Sequence, residues 1–515
     1  MTKRFVNFPI QAFLPPFLLL ISSLFKFYKD ASVIASPAQL IRPTVALTLL
    51  LALTISLLHR IFQDQETTGL IASFFVVLLC WAPESFQKTG ALIFYLCLAS
   101  LAVRLVWSHK FDLKWTMSFL TFVSFCLVAI RTQSLVTVIA NTPKSYWSRS
   151  SFRASATAMQ MVAPPTLPDI YYIVVDGYPR SDVLAELFNY DNSSFLDHLD
   201  ARGFIVLSEN RSNYSRTVLS VASTLNLNYV SSFLPGAENS SSWWLLEPFI
   251  DQNRARLALA KLGYRSYAVM SDWSLTDNTT ADEYFQVAPI HLSDLENEIV
   301  RKTPLGQVLL FFPDFVFVQS NQSHFKVVNL QFDALASFAS MPGPKFVFVH
   351  IISPHPPFVA RADGSFQSPP YPFTFNDADD FLLDDLAYVN GFREQVAFVN
   401  DRLARVVDEI LANSTNDPII LLQADHGSGL LTNFSSPDQT CLRERFSPFA
   451  AYHLPGVTAE MLPPHLTPVN LFRFVFNHYF AAGLPLLEDR QYTYQIMDQI
   501  FREVDVTSSA DSCLR

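Results

Sequence analysis

Hydrophobic residues follow two different patterns along the chain, and the change falls near residue 166. Before it, long apolar runs at 9–27, 43–58, 69–81, 91–107 and 115–130 alternate with short polar stretches. About 20 mostly apolar residues cross a bilayer, so these runs predict five membrane spans within a transmembrane domain over residues 1–135. The third run is short, and a re-entrant or interfacial helix is its alternative interpretation.

After residue 166 the pattern predicts an α/β domain over 167–515. Short β-rich runs at 170–175, 204–207, 265–270, 345–351 and 418–423 alternate with helical patterns at 194–202, 253–262 and 385–413. Such alternation is typical of a mainly parallel central sheet flanked by helices. Two further runs, 315–318 and 325–330, are interpreted as additional strands. Ligands of these sheets bind beyond the carboxyl ends of the strands, so the polar residues there are the candidates for function.

Residues 136–166 join the two parts. They carry Lys144, Trp147, Arg149 and Arg153 and then a Pro-rich piece at 163–168. Trp and Arg suit the headgroup layer, and consecutive prolines stiffen a chain. We therefore predict an interfacial helix followed by a Pro-rich linker.

Charge is distributed as unevenly as hydropathy. The chain of 515 residues has a formal net charge of −10, with 14 basic and 5 acidic residues up to position 166, and 22 and 41 after it. Lys and Arg are nearly balanced between the two sides of the predicted spans, so they do not orient the chain. We expect a membrane environment for the first part and no nucleic-acid partner.

Cysteine chemistry is not the predicted function. Cys80, Cys97 and Cys126 lie in apolar runs and are interpreted as small buried hydrophobic residues. Cys441 and Cys513 remain, either as one disulfide in an oxidising compartment or as two unpaired thiols.

Acidic and histidine side chains follow two of the predicted strands. Asp176 ends Tyr-Tyr-Ile-Val-Val-Asp-Gly, and Asp425 and His426 follow Pro-Ile-Ile-Leu-Leu-Gln-Ala and precede Gly-Ser-Gly. Carboxylate oxygen and imidazole nitrogen are ligands that Zn²⁺ and Mn²⁺ accept. A simple turn at Asp176 and a buried ion pair between Asp425 and His426 are the alternatives.

Two other segments carry candidate reactive groups. Thr217 stands in Asn-Tyr-Ser-Arg-Thr-Val-Leu-Ser, where a hydroxyl beside a metal would lose its proton readily and attack, and where a helix N-terminus would favour an anion. Helix caps explain the same hydroxyls. His355 stands in Ser-Pro-His-Pro-Pro, where it would bind a phosphoryl oxygen or move a proton, whereas His350 within the strand is assigned a structural role.

These pieces, in this order, resemble the alkaline phosphatase superfamily, in its sulfatase-like branch of lipoteichoic acid synthases and lipid A phosphoethanolamine transferases. The resemblance covers about residues 167–480. It implies that Asp176, Thr217, Asp425 and His426 hold one catalytic divalent metal, Zn²⁺ or Mn²⁺ with Mg²⁺ or Ca²⁺ as alternatives, that Thr217 is the nucleophile, and that His355 contacts the substrate phosphate.

The resemblance also implies a location and partners. Enzymes of this type work at the outer face of the cytoplasmic membrane, so we expect a multi-pass cell-membrane protein with its catalytic domain on the extracytoplasmic side. A phospholipid would be the donor, and an envelope lipid or glycan the acceptor.

Several residues depart from the pattern of that branch. Thr217 is not followed by the Pro and Arg of the sulfatase motif, which disfavours sulfate esters, and Ser428 replaces the Glu of the transferases' Asp-His-Gly-Glu. Their second substrate histidine is not found shortly downstream. Side chains that could meet substrate oxygens are Arg180, Arg216, Ser220, Arg443 and Arg445. Surface salt bridges would explain the arginines equally well.

Three hypotheses follow for the function. The first is a metal-dependent transferase that moves a phospholipid-derived phospho-substituent onto an envelope lipid or glycan. The second keeps the site but sends the group to water, as a phosphodiesterase or phosphatase. The third is a non-catalytic binding or scaffold protein on the same fold.

Overall fold

The structure is a computed structural model that describes residues 10–80, 112–147, 159–286, 292–303, 313–371, 373–463, 465–496 and 499–513. Its chain divides into two compact units. One consists of Met1–Asn141 with Ile290–Pro313, and the other of Thr142–Pro289 with Asp314–Arg515. The run at 91–107, where a fourth span is predicted, lies outside the described residues.

The described α-helices are numbered in chain order: α1 Ile10–Ala31, α2 Ile41–Phe62, α3 Gln65–Cys80, α4 Leu113–Ala140, α5 Lys144–Trp147, α6 Ser181–Phe188, α7 Ser193–Asp200, α8 Thr217–Asn226, α9 Val230–Phe233, α10 Glu247–Asp251, α11 Arg254–Lys261, α12 Asp294–Lys302, α13 Pro313–Phe338, α14 Asp385–Asn413, α15 Leu442–Phe446 and α16 Pro468–Phe480. The described strands are β1 Ile170–Val175, β2 Phe204–Val206, β3 Arg265–Val269, β4 Glu283–Phe285, β5 Lys345–Ile351, β6 Ile419–Gln423, β7 Ala450–His453, β8 Tyr492–Tyr494 and β9 Glu503–Asp505.

Helices α1 to α4 form the apolar part of the first unit. Among the described residues, the segments long and apolar enough to cross a membrane are Gln11–Ala31, Pro37–Phe62 and Leu113–Ala140, while the apolar helix Gln65–Cys80 is shorter. These correspond to the first, second, fifth and third predicted runs. Helix α2 leaves large apolar side chains exposed along its length, as a lipid-facing helix does.

Helix α12 packs with α1 and α2 within this unit, although its sequence follows β4. Gln39 and Arg42 bond to Asp294 and Glu296, and Lys302 Nζ lies 2.7 Å from an Asp30 oxygen. A capping box formed by Ser293 and Glu296 begins the helix. Polar groups therefore join two segments of the unit that are far apart in sequence.

The second unit is built on a seven-stranded sheet in the order β2, β7, β6, β1, β5, β3, β4. Strands β6, β1, β5, β3 and β4 pair in parallel, while β7 pairs antiparallel with both β6 and β2. A separate antiparallel pair joins β8 and β9. The predicted α/β fold with a mainly parallel central sheet is thereby confirmed.

Strand β1 is completely buried because it lies in the middle of the sheet between β5 and β6. Its residues Tyr171, Ile173 and Val175 join a core that includes side chains of α13 and α14. Tyr172 faces the opposite way and packs edge-on against Phe472 of α16, with ring centroids 5.4 Å apart. Helices on both faces explain why β1 is an unbroken apolar run rather than an alternating one.

The structure differs from the predictions for two segments of the chain. The strands predicted at 315–318 and 325–330 are wrong, because both segments lie in the 26-residue helix α13. Short apolar runs do not distinguish a strand from a buried helix by periodicity alone. Of the predicted interfacial stretch, 136–140 continues α4, Lys144–Trp147 forms α5, and 148–158 lies outside the described residues.

A disulfide joins Cys441, just before α15, to Cys513 near the C-terminus. The sequence left this pairing open. It holds the C-terminal segment beside α15, where the backbone N–H of Arg443 also donates to the Ser512 carbonyl at 3.0 Å.

Candidate metal centre

Asp176 and the pair Asp425 and His426 come together because they follow neighbouring strands. Val174 of β1 pairs with Gln423 of β6, so both strands end at the same edge of the sheet. The Gly177 N–H donates to Asp425 Oδ1 at 3.1 Å, which joins the two strand ends directly. Gly177 has a φ of +70°, a conformation that a side chain would disfavour.

The three side chains direct one polar atom each toward a common point. His426 Nε2 lies 3.1 Å from Asp425 Oδ2 and 3.7 Å from Asp176 Oδ1. One ligand atom from each residue lies within 4.8 Å of the other two. All three residues are buried, with 3% of Asp176 and 1% each of Asp425 and His426 exposed. This is the predicted group of metal ligands apart from Thr217.

The imidazole of His426 is oriented by its backbone. Its Nδ1 lies 2.8 Å from the Gly427 carbonyl oxygen, which only accepts, so Nδ1 carries the proton and donates. The lone pair of Nε2 therefore faces the carboxylates. Burial and the neighbouring charge of Arg445 lower the pKa of His426, so the neutral form that binds metals is favoured.

The buried carboxylates supply the test of whether a metal fits. Among the described residues, neither Asp176 Oδ1 nor Asp425 Oδ2 has a hydrogen-bond partner, and no Lys or Arg forms an ion pair with either side chain. An unpaired buried carboxylate is expensive unless it coordinates a cation. Two carboxylate oxygens, one imidazole nitrogen and a nearby hydroxyl form a donor set that suits Zn²⁺ or Mn²⁺.

His350 supports Asp176 from the adjacent strand β5. Its Nε2 lies 3.3 Å from Asp176 Oδ2 without the alignment of a hydrogen bond, and its Nδ1 lies 2.9 Å from the Thr276 hydroxyl. Burial would raise the pKa of Asp176, but nearby His355 and His350 outweigh it and hold that pKa below its ordinary value. The Asp176 carboxylate therefore stays ionised.

Thr217 is the first residue of α8, a helix whose residues are all buried. Its Oγ1 lies 3.0 Å from His426 Nε2, so the hydroxyl belongs to the same group as the three ligands. The first helical backbone bond runs from the Ser220 N–H to the Arg216 carbonyl, and Arg216 supplies no side-chain cap. The N–H groups before Ser220 therefore have no partner inside the helix and favour an anion beside Thr217.

Ser220 acts on the backbone of the centre. Its hydroxyl donates to the Asp425 carbonyl oxygen at 2.7 Å, and both groups are buried. This bond ties the first turn of α8 to the end of β6. It therefore fixes the distance between Thr217 and the ligands.

Arg216 is buried among aromatic rings instead of carboxylates. Its guanidinium carbon lies 3.9 Å from the Phe434 ring centroid, and an Nη donates to the Tyr494 hydroxyl at 2.6 Å. Burial lowers the pKa of Arg216, although arginine keeps its charge at any ordinary pH. A positive charge next to Thr217 favours an anionic ligand.

Arg445 reaches the centre from α15. Its guanidinium lies 3.0 Å from His426 Nε2, pairs with the Asp377 carboxylate at 3.2 Å, and donates to the Ser215 carbonyl at 2.9 Å. A metal at Nε2 would replace the first of these contacts. Arg445 thus holds together the segments on either side of Thr217 and His426.

His355 completes the group on the side of Asp377. Its Nδ1 bonds to the Pro356 carbonyl at 2.5 Å, and its Nε2 lies 3.8 Å from Asp377 Oδ2. Burial alone would raise the pKa of Asp377, yet the charges of His355 and Arg445 hold it below its ordinary value. Asp377 was missed by the sequence reasoning because it lies in a loop, far from any strand end.

Arg180 and Arg443 make other contacts. Arg180 pairs with Asp182 at 2.7 Å, and Arg443 pairs with Asp182 at 3.1 Å and with Glu186 at 2.7 Å. Both guanidinium groups are thus engaged by carboxylates of α6. Of the four candidate arginines, the structure brings Arg216 and Arg445 to the centre.

Glu444 was also missed, because it lies on the short helix α15 and not at a strand end. The Ser428 hydroxyl donates to the buried Glu444 carboxylate at 2.6 Å, and the N–H groups of Leu430 and Leu431 donate to it at 2.8 Å each. The Glu444 carboxylate therefore orders the loop that follows His426.

By sequence, the chain matches no protein-family model and no curated protein. By structure, it is similar to the zinc complex of the C-terminal periplasmic domain of EptC from Escherichia coli, at 11% identity over 69% of this chain and 96% of that one, with a TM-score of 0.41. It is also similar to the integral membrane lipooligosaccharide phosphoethanolamine transferase A from Neisseria meningitidis, at 12% identity over 85% and 88%, with a TM-score of 0.33. A further match is a protein in the alkaline phosphatase superfamily from Vibrio parahaemolyticus, at 12% identity over 67% and 80%, with a TM-score of 0.37.

Proposed function

We propose that this protein is a membrane-anchored, metal-dependent transferase that moves a phospholipid-derived phospho-substituent onto an envelope lipid or glycan, with Thr217 as the nucleophile. The observation that carries the proposal is the position of the Thr217 hydroxyl, 3.0 Å from the one unprotonated nitrogen of a buried centre of two carboxylates and an imidazole. The extracytoplasmic placement of the catalytic domain, residues 167–515, is part of the same proposal.

Asp176, Asp425, His426 and Thr217 would hold the divalent metal. When bound, such a cation lowers the pKa of the threonine hydroxyl and neutralises charge that builds on phosphoryl oxygens. The chain's own residues do the rest. Arg216, Arg445 and the N-terminus of α8 attract and orient the anionic phosphodiester, and the burial of the ligands excludes water from them.

The reaction consists of two successive displacements at phosphorus. In the first, Thr217 loses its proton and its Oγ1 bonds to the donor phosphorus, while the bond from phosphorus to the diacylglycerol oxygen breaks and that oxygen takes a proton. In the second, an acceptor hydroxyl loses its proton and bonds to the same phosphorus, while the bond from phosphorus to Thr217 Oγ1 breaks and Oγ1 takes a proton. His355 is the side chain placed to hold or give these protons at Nε2, since its Nδ1 is occupied by the Pro356 carbonyl.

The test is the mass of the intact protein after incubation with membrane lipids and a divalent metal. We expect an added mass on Thr217 that equals the transferred phospho-substituent, and its loss in Thr217→Ala. Ser223→Ala is the matched control, because it removes a hydroxyl of the same helix that has no hydrogen-bond partner among the described residues.

Transfer that survives Thr217→Ala in a folded, membrane-bound protein would contradict the proposal. Release of the head group to water, with no product on any lipid or glycan, would show a hydrolase instead. Purified protein that retains no divalent metal after reconstitution would favour the scaffold hypothesis.

A further inference from the structure

An aromatic strip lies beside the candidate metal centre. It consists of Trp243, Trp273, Phe373 and Phe375. The ring centroids of Trp243 and Trp273 are 6.3 Å apart, those of Trp273 and Phe375 are 5.4 Å apart, and those of Phe375 and Phe373 are 5.1 Å apart. The rings therefore form one continuous row.

The aromatic strip begins next to the nucleophile. The Arg216 guanidinium, one residue before Thr217, lies 5.6 Å from the centroid of Trp243. Phe375 stands two residues before Asp377, which pairs with Arg445. Trp273 follows the carboxyl end of β3, a neighbour of β5 in the sheet. The strip thus leads away from the centre along the sheet edge at which ligands of such folds bind.

A histidine and a carboxylate lie at the far end of the strip. The ring of His324 stacks on Phe373 with centroids 4.5 Å apart, and its Nδ1 lies 2.6 Å from Asp272 Oδ2. A carboxylate accepts, so Nδ1 carries the proton. His324 Nε2 is the ring nitrogen that has no hydrogen-bond partner among the described residues.

Polar atoms along the strip lack partners. Among the described residues, Arg216 Nε, Trp243 Nε1 and His324 Nε2 are buried and make no hydrogen bond. Leaving a buried donor or acceptor unpaired is unfavourable. These three atoms lie along one row of rings, and a polar ligand bound there would supply their partners.

The strip is also accessible from one side. Phe375 is 41% exposed, and Trp243 and Phe373 are half-buried, while Trp273 is buried behind them. A ligand can therefore stack on the outer rings, and it would reach the three buried polar atoms by shifting those rings.

We propose that the aromatic strip is the acceptor subsite and that the acceptor is a glycan. This inference rests on the proposed function and names its acceptor class. A sugar ring presents an apolar C–H face that stacks on aromatic rings, and hydroxyl groups that donate and accept at its rim. Arg216, Trp243 and His324 supply the complementary partners. An acyl chain would cover the same rings but leave these polar atoms unpaired.

The step at this subsite balances. A hydroxyl oxygen of the glycan bonds to the phosphorus carried on Thr217, the bond from phosphorus to Thr217 Oγ1 breaks, and the glycan hydroxyl proton passes to Thr217. The product is a phospho-substituted glycan and the free enzyme.

The experiment separates the two halves of the reaction in membranes of the source cell that contain labelled phospholipid. Phe375→Ala is compared with wild type, with Phe375→Trp, which keeps an aromatic face, and with Met461→Ala, an equally exposed apolar residue outside the strip. Formation of the Thr217 adduct is followed by protein mass, and the labelled product is divided into sugar-containing and sugar-free fractions.

We expect wild type to label the sugar-containing fraction. Phe375→Ala should form the adduct at the normal rate but label that fraction about tenfold more slowly, which corresponds to about 1.4 kcal/mol of lost stacking. Phe375→Trp and Met461→Ala should behave as wild type.

Two results would overturn the inference while the proposed function stands. One is label that enters only a sugar-free lipid, and the other is an adduct that transfers to the glycan equally fast in Phe375→Ala. No adduct in any variant would instead overturn the proposed function, and this inference with it.

Discussion

A buried carboxylate lies at each end of strand β1, and the two carboxylates differ in whether a basic side chain pairs with them. Asp169, just before the strand, lies 2.6 Å from the ammonium of Lys345, the first residue of the neighbouring strand β5. Asp176, just after the strand, forms no ion pair with a Lys or Arg among the described residues, although it is more deeply buried, with 3% exposed against 9% for Asp169.

This difference distinguishes an end of the sheet with a structural ion pair from an end with a candidate functional site. At the amino end, Lys345 neutralises the Asp169 carboxylate, and its ammonium also donates to the Met341 carbonyl at 2.8 Å. At the carboxyl end it gathers Asp176, Asp425 and His426 and leaves two carboxylate oxygens without a donor. In the proposed function, a divalent cation would complete that end.

The largest effect is expected for Asp176→Asn, which changes the carboxyl end alone. Because it removes a charged ligand but keeps the side-chain volume, the protein should fold but lose its bound metal. Transfer should be at least roughly 10²-fold slower, which is more than the usual effect of changing a residue that only hydrogen-bonds to a metal ligand. Elemental analysis and initial rates check this. Unchanged metal content would contradict the assignment of Asp176 as a ligand.

The next effect is expected for the same substitution at the other end, Asp169→Asn. It leaves Lys345 buried without its partner, and breaking one side of a buried ion pair costs about 3 to 5 kcal/mol. The free energy of unfolding of the second unit should fall by that amount, measured by denaturant titration in detergent. Metal content per folded molecule should stay as in wild type, and a parallel loss of metal would mean that the two ends are not independent.

The smallest effect concerns a third buried carboxyl, Glu444, which neither Lys nor metal neutralises. Burial raises its pKa to about 7, against the hydrogen bond from Ser428, from an ordinary value of 4.5. A raised folded-state pKa means that its contribution to stability is present below about pH 4.5 and is lost as the pH rises through about 7.

Glu444→Gln should therefore remove a decline of about 3 kcal/mol in unfolding free energy across this pH range. The quantity to measure is the difference between wild type and variant at each pH, because any fixed loss of hydrogen bonds shifts both ends equally. A difference that does not vary with pH would show that the pKa of Glu444 is the same in the folded and the unfolded protein.

Sequence reasoning found the strand-end residues of the centre because they have strong local signals. Apolar runs end in Asp176 and in Asp425 with His426, and parallel strands put their carboxyl ends at one edge. Thr217, Arg216 and Arg445 were found by motif and by residue type, and the structure brings all three to that edge. Arg180 and Arg443 look the same in sequence, yet the carboxylates of α6 engage them.

Asp377, Glu444 and the aromatic strip had no local signal. Asp377 lies in a loop between β5 and α14, and Glu444 on a short helix after β6, so their contacts depend on how distant segments pack. The strip takes rings from segments at 243, 273 and 373–375, which no spacing rule connects.

Hydrophobic periodicity is a local property of the chain. The sequence alone therefore indicated the apolar helices, the succession of the core strands along the chain and the types of side chain that follow those strands. Helix α13 marks the limit of that rule. The folded structure was needed to show which buried charges of the described residues have partners in the chain and which do not. Pairing depends on distances across the sheet: Lys345 pairs with Asp169, whereas Asp176 lies beside Asp425 and His426 in a group that could hold a metal ion.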